Sequence, residues 1–231
     1  MNVVITGASR GIGRSIAEVF AAEGHDLYLN SVNPDRLDQA VKELKELFPP
    51  IKIHAHAADL SSKEEAKAFG RWVLDKCEPD ILINNAGSFA GSNVSDEEEG
   101  ALEEMIETNL YSAYNLTRVI LPSMKKRKSG HIFNMSSIAG LKAYPGGGSY
   151  SISKFALRGF SLNLRDELKT FNIKVTTVYP GAAYTDSWVG QVKEDRIMEA
   201  KDIADMVLAA SKLSYKACVE EIILRPQLGD L

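Results

Sequence analysis

Cysteine is nearly missing from this chain: Cys77 and Cys218 are the two among 231 residues. They stand far apart with no C-x-x-C, which excludes a disulfide scaffold and predicts free thiols in a reducing compartment, the cytoplasm. No run of about 18 apolar residues occurs, so no segment is expected to span a bilayer. A strand pattern begins at once at the N-terminus, leaving no room for a signal peptide. An excess of one charge is lacking too. Lys and Arg number 27 against 31 Asp and Glu, a formal net charge of −4. That balance gives no electrostatic reason to expect nucleic acid or an anionic membrane as partner. Histidine is scarce, at four residues. His54 and His56 alternate along one strand, but without a third ligand nearby in sequence they predict no metal site.

What is present is ordinary globular composition, 45% hydrophobic and 25% charged, in a length that suits one α/β domain over 1–231. Strand-like runs at about 2–6, 26–30, 51–56, 80–84, 130–135, 172–179 and 219–224 alternate with helical patterns. The helices fall at about 11–23, 34–47, 62–76, 97–121, 149–170 and 200–212. About seven strands separated by helices predict a doubly wound parallel sheet of the Rossmann type, with helices on both faces and right-handed crossovers. The run Lys125-Lys126-Arg127-Lys128 follows a helical pattern, where cations complement the dipole. Ser95 with Glu98 fits a capping box, so the acidic run Asp96–Glu99 needs no metal. In the helix from 149, Leu157, Phe160, Leu164 and Leu168 recur at helical spacing and should face the sheet.

Thr6-Gly7-Ala8-Ser9-Arg10-Gly11-Ile12-Gly13 lies between the apolar run Val3-Val4-Ile5 and the first helix. A glycine turn that closes a strand and opens a helix can hold a phosphate, because free N–H groups and the positive dipole end point at it. Tyr150 and Lys154 stand four apart at the start of a later helix, on one face. An ammonium beside a phenol favours the phenolate and is expected to lower the tyrosine pKa. Ser137 precedes Tyr150 by thirteen residues, at the end of an apolar strand, where its hydroxyl can donate to a carbonyl oxygen. Its neighbour Ser136 is the other candidate. Pro145-Gly146-Gly147-Gly148 comes just before the tyrosine, either as a simple connection or to let a substrate approach the backbone.

The glycine spacing Gly7-x-x-x-Gly11-x-Gly13, with Ser137, Tyr150 and Lys154, resembles the short-chain dehydrogenase/reductase family over nearly the full length. The resemblance implies that Gly7, Ser9, Arg10, Gly11, Ile12 and Gly13 hold a nicotinamide dinucleotide. Asp59-Leu60 matches the place where the family's acid contacts adenine; a plain turn before Ser61-Ser62 is the other reading. Asn84-Asn85-Ala86-Gly87 matches the loop that lines the cofactor, with Asn85, Ala86 and Gly87 as contacts. Pro180-Gly181-Ala182-Ala183-Tyr184-Thr185 resembles the stretch that embraces the nicotinamide, so Pro180, Gly181 and Thr185 join the set. Asn109 matches the asparagine that holds a water in a proton relay with the lysine, and the lysine also grips the nicotinamide ribose. The implied reaction is hydride transfer between nicotinamide and a ketone or secondary alcohol. Tyr150 is the general acid/base, and Ser137 stabilises charge on the oxygen.

No acid stands at the end of the second strand to take the ribose hydroxyls. Ser31 occupies that position and cannot repel a phosphate, and Arg10 can pair with one, so NADP (NADPH) is favoured with NAD as the alternative. Val32 stands where many relatives keep a second arginine. The segment at about 184–199 covers the substrate in the family; here it is short and carries Trp188 as the expected apolar contact. A small carbonyl or alcohol substrate is expected, acted on by a carbonyl reductase. The alternatives are a 3-oxoacyl-carrier-protein reductase, with Arg127, Lys128 and Lys142 as a landing surface, and a catalytically idle NADP-binding regulator. Likeness implies a homodimer or homotetramer pairing through the helices at about 97–121 and 149–170. The tail Arg225–Leu231 is a further candidate for an interface.

Overall fold

The computed structural model describes residues 1–185, 188, 190 and 192–230. Asp186, Ser187 and Val189 of the expected substrate segment, with Gln191 and Leu231, lie outside the described residues.

The first strand, β1 (Asn2–Ile5), carries Val3, Val4 and Ile5 with no solvent exposure. Such a continuous apolar run suits a parallel strand covered on both faces. It pairs with β2 (Asp26–Ser31) on one side and β4 (Ile81–Asn84) on the other. Beyond these lie β3 (Ile53–Ala57), β5 (Gly130–Met135), β6 (Ile173–Pro180) and β9 (Glu221–Leu224). Among the described residues the sheet order is β3-β2-β1-β4-β5-β6-β9, every pair parallel. The winding reverses between β1 and β4, and the loops leaving their C-terminal ends diverge to open a crevice.

Alternation along the strands feeds two cores. Val3 and Ile5 pack under α1 (Gly11–Ala22), α2 (Pro34–Leu47) and α7 (Ala200–Ser211), with Phe20, Leu37, Leu44 and Val207. Val4 faces α3 (Lys63–Leu74), α5 (Ser112–Arg127) and α6 (Gly148–Leu168), with Phe69, Val73, Leu116, Ile120 and Leu164. Full burial of each such side chain contributes roughly 1.5–3 kcal/mol.

Three expectations need correction. The helix placed at 97–121 starts at Ala101 and runs on through Pro122 to Arg127, in three pieces: α4 (Ala101–Ile106), a π-helical turn (Glu107–Tyr111) and α5. Gly100, at φ +91°, blocks an earlier start, so the Ser95–Glu98 capping box is absent and the Ser95 hydroxyl donates to Asp96 Oδ1 at 3.1 Å. On α6, Leu157, Leu164 and Leu168 are buried, whereas Phe160 packs against the same core only half-buried, its ring 5.4 Å from that of Tyr114. Buried serines take the inner face instead: Ser151 donates to Ala139 O at 2.7 Å, and Ser161 donates to Leu157 O while accepting from Asn134 Nδ2, each at 2.8 Å. Within the chain the tail is tied down by Arg196, which donates to Gly229 O at 3.0 Å and Asp230 O at 3.1 Å, and by the Arg225–Asp230 pair. Two strands too short for any sequence period, β7 (Ala183–Tyr184) and β8 (Met198–Glu199), pair at the base of the segment expected to cover the substrate. The basic run does occupy the last turn of α5 and its C-cap.

Candidate active site

At the C-terminal end of β1 the glycine loop borders a cleft of about 460 Å³. Gly7, Ser9, Arg10, Gly11, Ile12, Gly13, Ser31, Asp59, Leu60, Asn85, Ala86, Gly87 and Thr185 all line it. Helix α1 opens there with no side-chain cap and no acid in its first turn, so its free N–H groups and positive end remain directed at the cleft. A methyl group on Gly13 would stand 2.3 Å from the Gly7 carbonyl oxygen, so only glycine lets the helix start this close to the loop. Ser9 and Ser31 hydroxyls meet at 2.8 Å on the β2 side. Such a cradle, with hydroxyls and Arg10 in place of a carboxylate, fits a dinucleotide carrying a ribose phosphate.

Asp59 serves the turn as well as the cleft: its Oδ1 accepts from Ser61 N at 3.0 Å and from Ser61 Oγ at 2.7 Å. Pro180 and Gly181 lie outside the cleft lining. Pro180 O accepts from Ser137 Oγ at 3.4 Å, and Gly181 N donates to Leu224 O at 2.8 Å. Thr185 arches onto the glycine loop, its Cγ2 in contact range of Gly11.

Several lining or supporting residues were not among the expected contacts, including Thr6 at the head of the glycine motif. Thr6 Oγ1 accepts from Asn85 N at 2.9 Å and Ala86 N at 2.8 Å, which locks the β4 loop to β1. Asn30 Nδ2 donates to His56 O and Ala58 O at 3.2 and 3.1 Å, fixing the β3 exit. Ser88, Thr108 and Ser112 complete the wall. A buried polar side chain at a strand end was the one available signal, and Thr6 and Asn30 both fit it.

Beside this cleft, Ser137, Tyr150 and Lys154 come together where β5 ends and α6 begins. Ser137 neighbours the Tyr150 phenol closely enough to favour its ionised form, donates to Pro180 O at 3.4 Å and accepts from Ala139 N at 3.2 Å. Ser136 points the other way, donating to Lys154 O at 3.2 Å. Lys154 Nζ lies 5.7 Å from the Tyr150 ring centroid and donates to Met135 O at 3.0 Å. Phe89 meets the Tyr150 ring edge-on, with centroids 4.9 Å apart.

The expected depression of the phenol by the lysine does not hold in this geometry. Burial pushes Tyr150 up to about 12, with the neighbouring Ser137 hydroxyl pulling the other way. Lys154 is itself pulled down to about 8 by burial, so its charge is weakly held.

Asn109 sits in the π-helical turn, 1% exposed. Its Oδ1 accepts from Ser88 N at 2.9 Å, and its Nδ2 donates to Ser88 O at 3.1 Å and Ser153 Oγ at 3.0 Å. This amide ties loop to helix. Among the described residues no group of three His, Cys, Asp or Glu could hold a metal, and no helix is long and apolar enough to cross a membrane.

A family profile described as short chain dehydrogenase matches residues 1–196. The chain is 33% identical to a sepiapterin reductase of Chlorobaculum tepidum, over 99% of this chain and 97% of that one. An alcohol dehydrogenase from the archaeon Thermococcus sibiricus, solved with 5-hydroxy-NADP, superposes with a TM-score of 0.90 at 29% identity, covering 98% of this chain and 96% of that one. L-sorbose reductase from Gluconobacter frateurii, solved with NADPH and L-sorbose, gives a TM-score of 0.90 at 27% identity over 96% and 94%.

Proposed function

The chain belongs to the short-chain dehydrogenase family of oxidoreductases, and from that premise we propose that it reduces a ketone with NADPH, and oxidises the alcohol in reverse. The observation that carries this reading is the meeting of Ser137, Tyr150 and Lys154 where β5 ends and α6 begins, at the edge of a dinucleotide-sized cleft. A bound nicotinamide supplies the hydride. Tyr150 donates its proton to the carbonyl oxygen, and Ser137 donates a second hydrogen bond to the same atom, where negative charge develops. A phenol at about 12 is protonated at neutral pH, which suits the reductive direction. Lys154 stabilises the tyrosinate left behind, its ammonium steered by Met135 O. Asn109 holds the Ser88 loop against α6 so that these groups keep their spacing.

The Ser9–Ser31 hydroxyl pair and Arg10 support NADPH over NADH, as do the NADP-type ligands of the two solved relatives. Half-exposed Tyr111, Tyr114, Phe155 and Leu162 on the π turn, α5 and α6 support pairing of two copies through these helices, which light scattering would detect. Arg127 and Lys128 lie at the far end of the sheet: Arg127 donates to Asp80 Oδ1 at 3.1 Å just before β4, and Lys128 O accepts from Asn172 at 3.1 Å. That end of the sheet is opposite the glycine-loop cleft, so Arg127 and Lys128 lend the carrier-protein reading no support.

The test is NADPH fluorescence on mixing, then its loss with ketones, diketones and acetoacetyl thioesters. Tyr150→Phe should keep cofactor binding and lose nearly all turnover. Binding without consumption of any substrate points to the regulator instead, and full turnover by the phenylalanine variant overturns the mechanism.

A further inference from the structure

Helix α6, which carries Tyr150 and Lys154, begins without a cap of its own. Gly147 at its N-cap has no side chain to offer, and its first turn holds no acid. The orphan N–H groups of such a start need acceptors. One acceptor comes from 52 residues away: Glu97 Oε1 accepts from Ser149 N at 2.6 Å, and Glu97 Oε2 accepts from Ser149 Oγ at 2.5 Å. Ser149 is 1% exposed and Glu97 half-buried, so this two-pronged, charge-assisted contact is shielded from water on the serine side. The carboxylate also faces the positive end of the helix dipole.

The approach is tight. A Cβ on Gly148, at φ +37°, would stand 2.2 Å from Glu97 Oε1 and 2.4 Å from Ser92 O. That settles what this glycine is for: it admits a carboxylate and a loop carbonyl to the helix start. A parallel tie lies beside it, where Gly146 N donates to Asn93 Oδ1 at 3.0 Å. The loop bearing Ser92, Asn93 and Glu97 is held at its other end by Asn109, through Ser88 and on to Ser153. Tyr150 lies between these two anchors, next to Ser149, with Phe89 of the same loop against its ring.

We propose that Glu97 is a positioning residue for Tyr150: it caps the catalytic helix across the chain and locks the substrate-side loop to the turn bearing the general acid. The inference rests on the redox reading for its kinetic consequence, but not for its structural one. The clamp therefore has two separate readouts.

The experiment compares wild type, Glu97→Gln and Glu97→Ala, with Ser149→Ala as a second, milder cut. Amide hydrogen exchange over 145–153 and over 7–20 is followed in the unliganded proteins. NADPH affinity is measured by fluorescence, and kcat with whichever ketone the wild type consumes. Losing hydrogen bonds to a charged group is expected to speed exchange over 145–153 by about 10-fold or more in Glu97→Ala, with 7–20 unchanged. Its kcat should fall by about 10-fold or more while the NADPH dissociation constant stays the same. Glu97→Gln, which keeps both contacts in neutral form, should recover most of both. Unchanged exchange over 145–153 overturns the cap. A loss of NADPH affinity in step with kcat overturns the positioning role. If no ketone is consumed by the wild type, the redox reading fails on its own and the exchange data still decide the cap.

Discussion

Lys154 donates to the carbonyl oxygen of Met135 at 3.0 Å, so the ammonium is anchored to the last residue of the strand that leads into Ser137. Burial lowers this lysine to about 8 and raises Tyr150 to about 12. The two groups therefore titrate in the reverse of their solution order, and the lysine is the one that changes state near working pH.

Ketone reduction is expected to hold level at neutral pH and fall as pH passes about 8, when Lys154 loses the charge that stabilises the departing tyrosinate. The measurement is kcat/KM against pH; a profile flat to pH 10 contradicts it. Stability moves the opposite way. The folded pKa lies below the ordinary 10.5, so the unfolded chain binds the extra proton between pH 8 and 10.5 and folding strengthens across that window. Wild type should gain on the order of 3 kcal/mol over Lys154→Met there, read from urea midpoints.

Ser31→Asp is expected to weaken NADPH by about 10-fold or more and to improve NADH. The new carboxylate would replace a hydroxyl that sits 2.8 Å from Ser9 Oγ and would repel a ribose phosphate. Paired titrations of both cofactors check it, and an unchanged ratio removes Ser31 from the phosphate pocket.

His131 supplies an acid-sensitive element far from the cleft. It is buried, stacked on Phe133 at 3.9 Å, and shares a 2.7 Å hydrogen bond with Thr176; burial lowers it to about 3. Below its ordinary 6.5 the unfolded chain takes a proton that the folded one refuses, so stability is complete above 6.5 and is lost as pH falls toward 3. Between pH 7 and 4 the wild type should lose about 3 kcal/mol more than His131→Leu. Parallel urea titrations at the two pH values would show equal losses if the imidazole were already protonated in the fold.

Gly13→Ala places a methyl group 2.3 Å from one backbone oxygen and 2.4 Å from Asn85 Nδ2. Backbone cannot rotate aside as a side chain can, so the loop must shift. NADPH binding should disappear and Tm should drop. Retained affinity means that the loop yields and that the cradle is not set by Gly13.

The strand–helix alternation was legible because buried parallel strands read as apolar runs and their covering helices repeat at their own period. The cleft was legible for a different reason: phosphate-binding loops and Tyr-x-x-x-Lys are local spacings, and all thirteen residues that line the cleft from that reading sit on short contiguous stretches. Long-range events were not legible. Glu97 reads as one acid in an acidic run, and its partner Ser149 is 52 residues on. The π turn at Glu107–Tyr111 inserts one residue into a helix whose composition gives no sign of it. Phe160 has the right spacing for the core, yet Ser161 is the residue that meets Asn134. The direction of the pKa shifts followed from burial depth, which no spacing reports.

Hydroxyl groups, more than hydrocarbon, seat the early turns of α6 on their neighbours, through Ser149, Ser151 and Ser153. Hydrophobic attraction fades on cooling, whereas directed polar bonds do not depend on releasing ordered water. The general acid should thus stay registered with its strand in the cold, even where the leucine-rich layers elsewhere in the molecule begin to slacken.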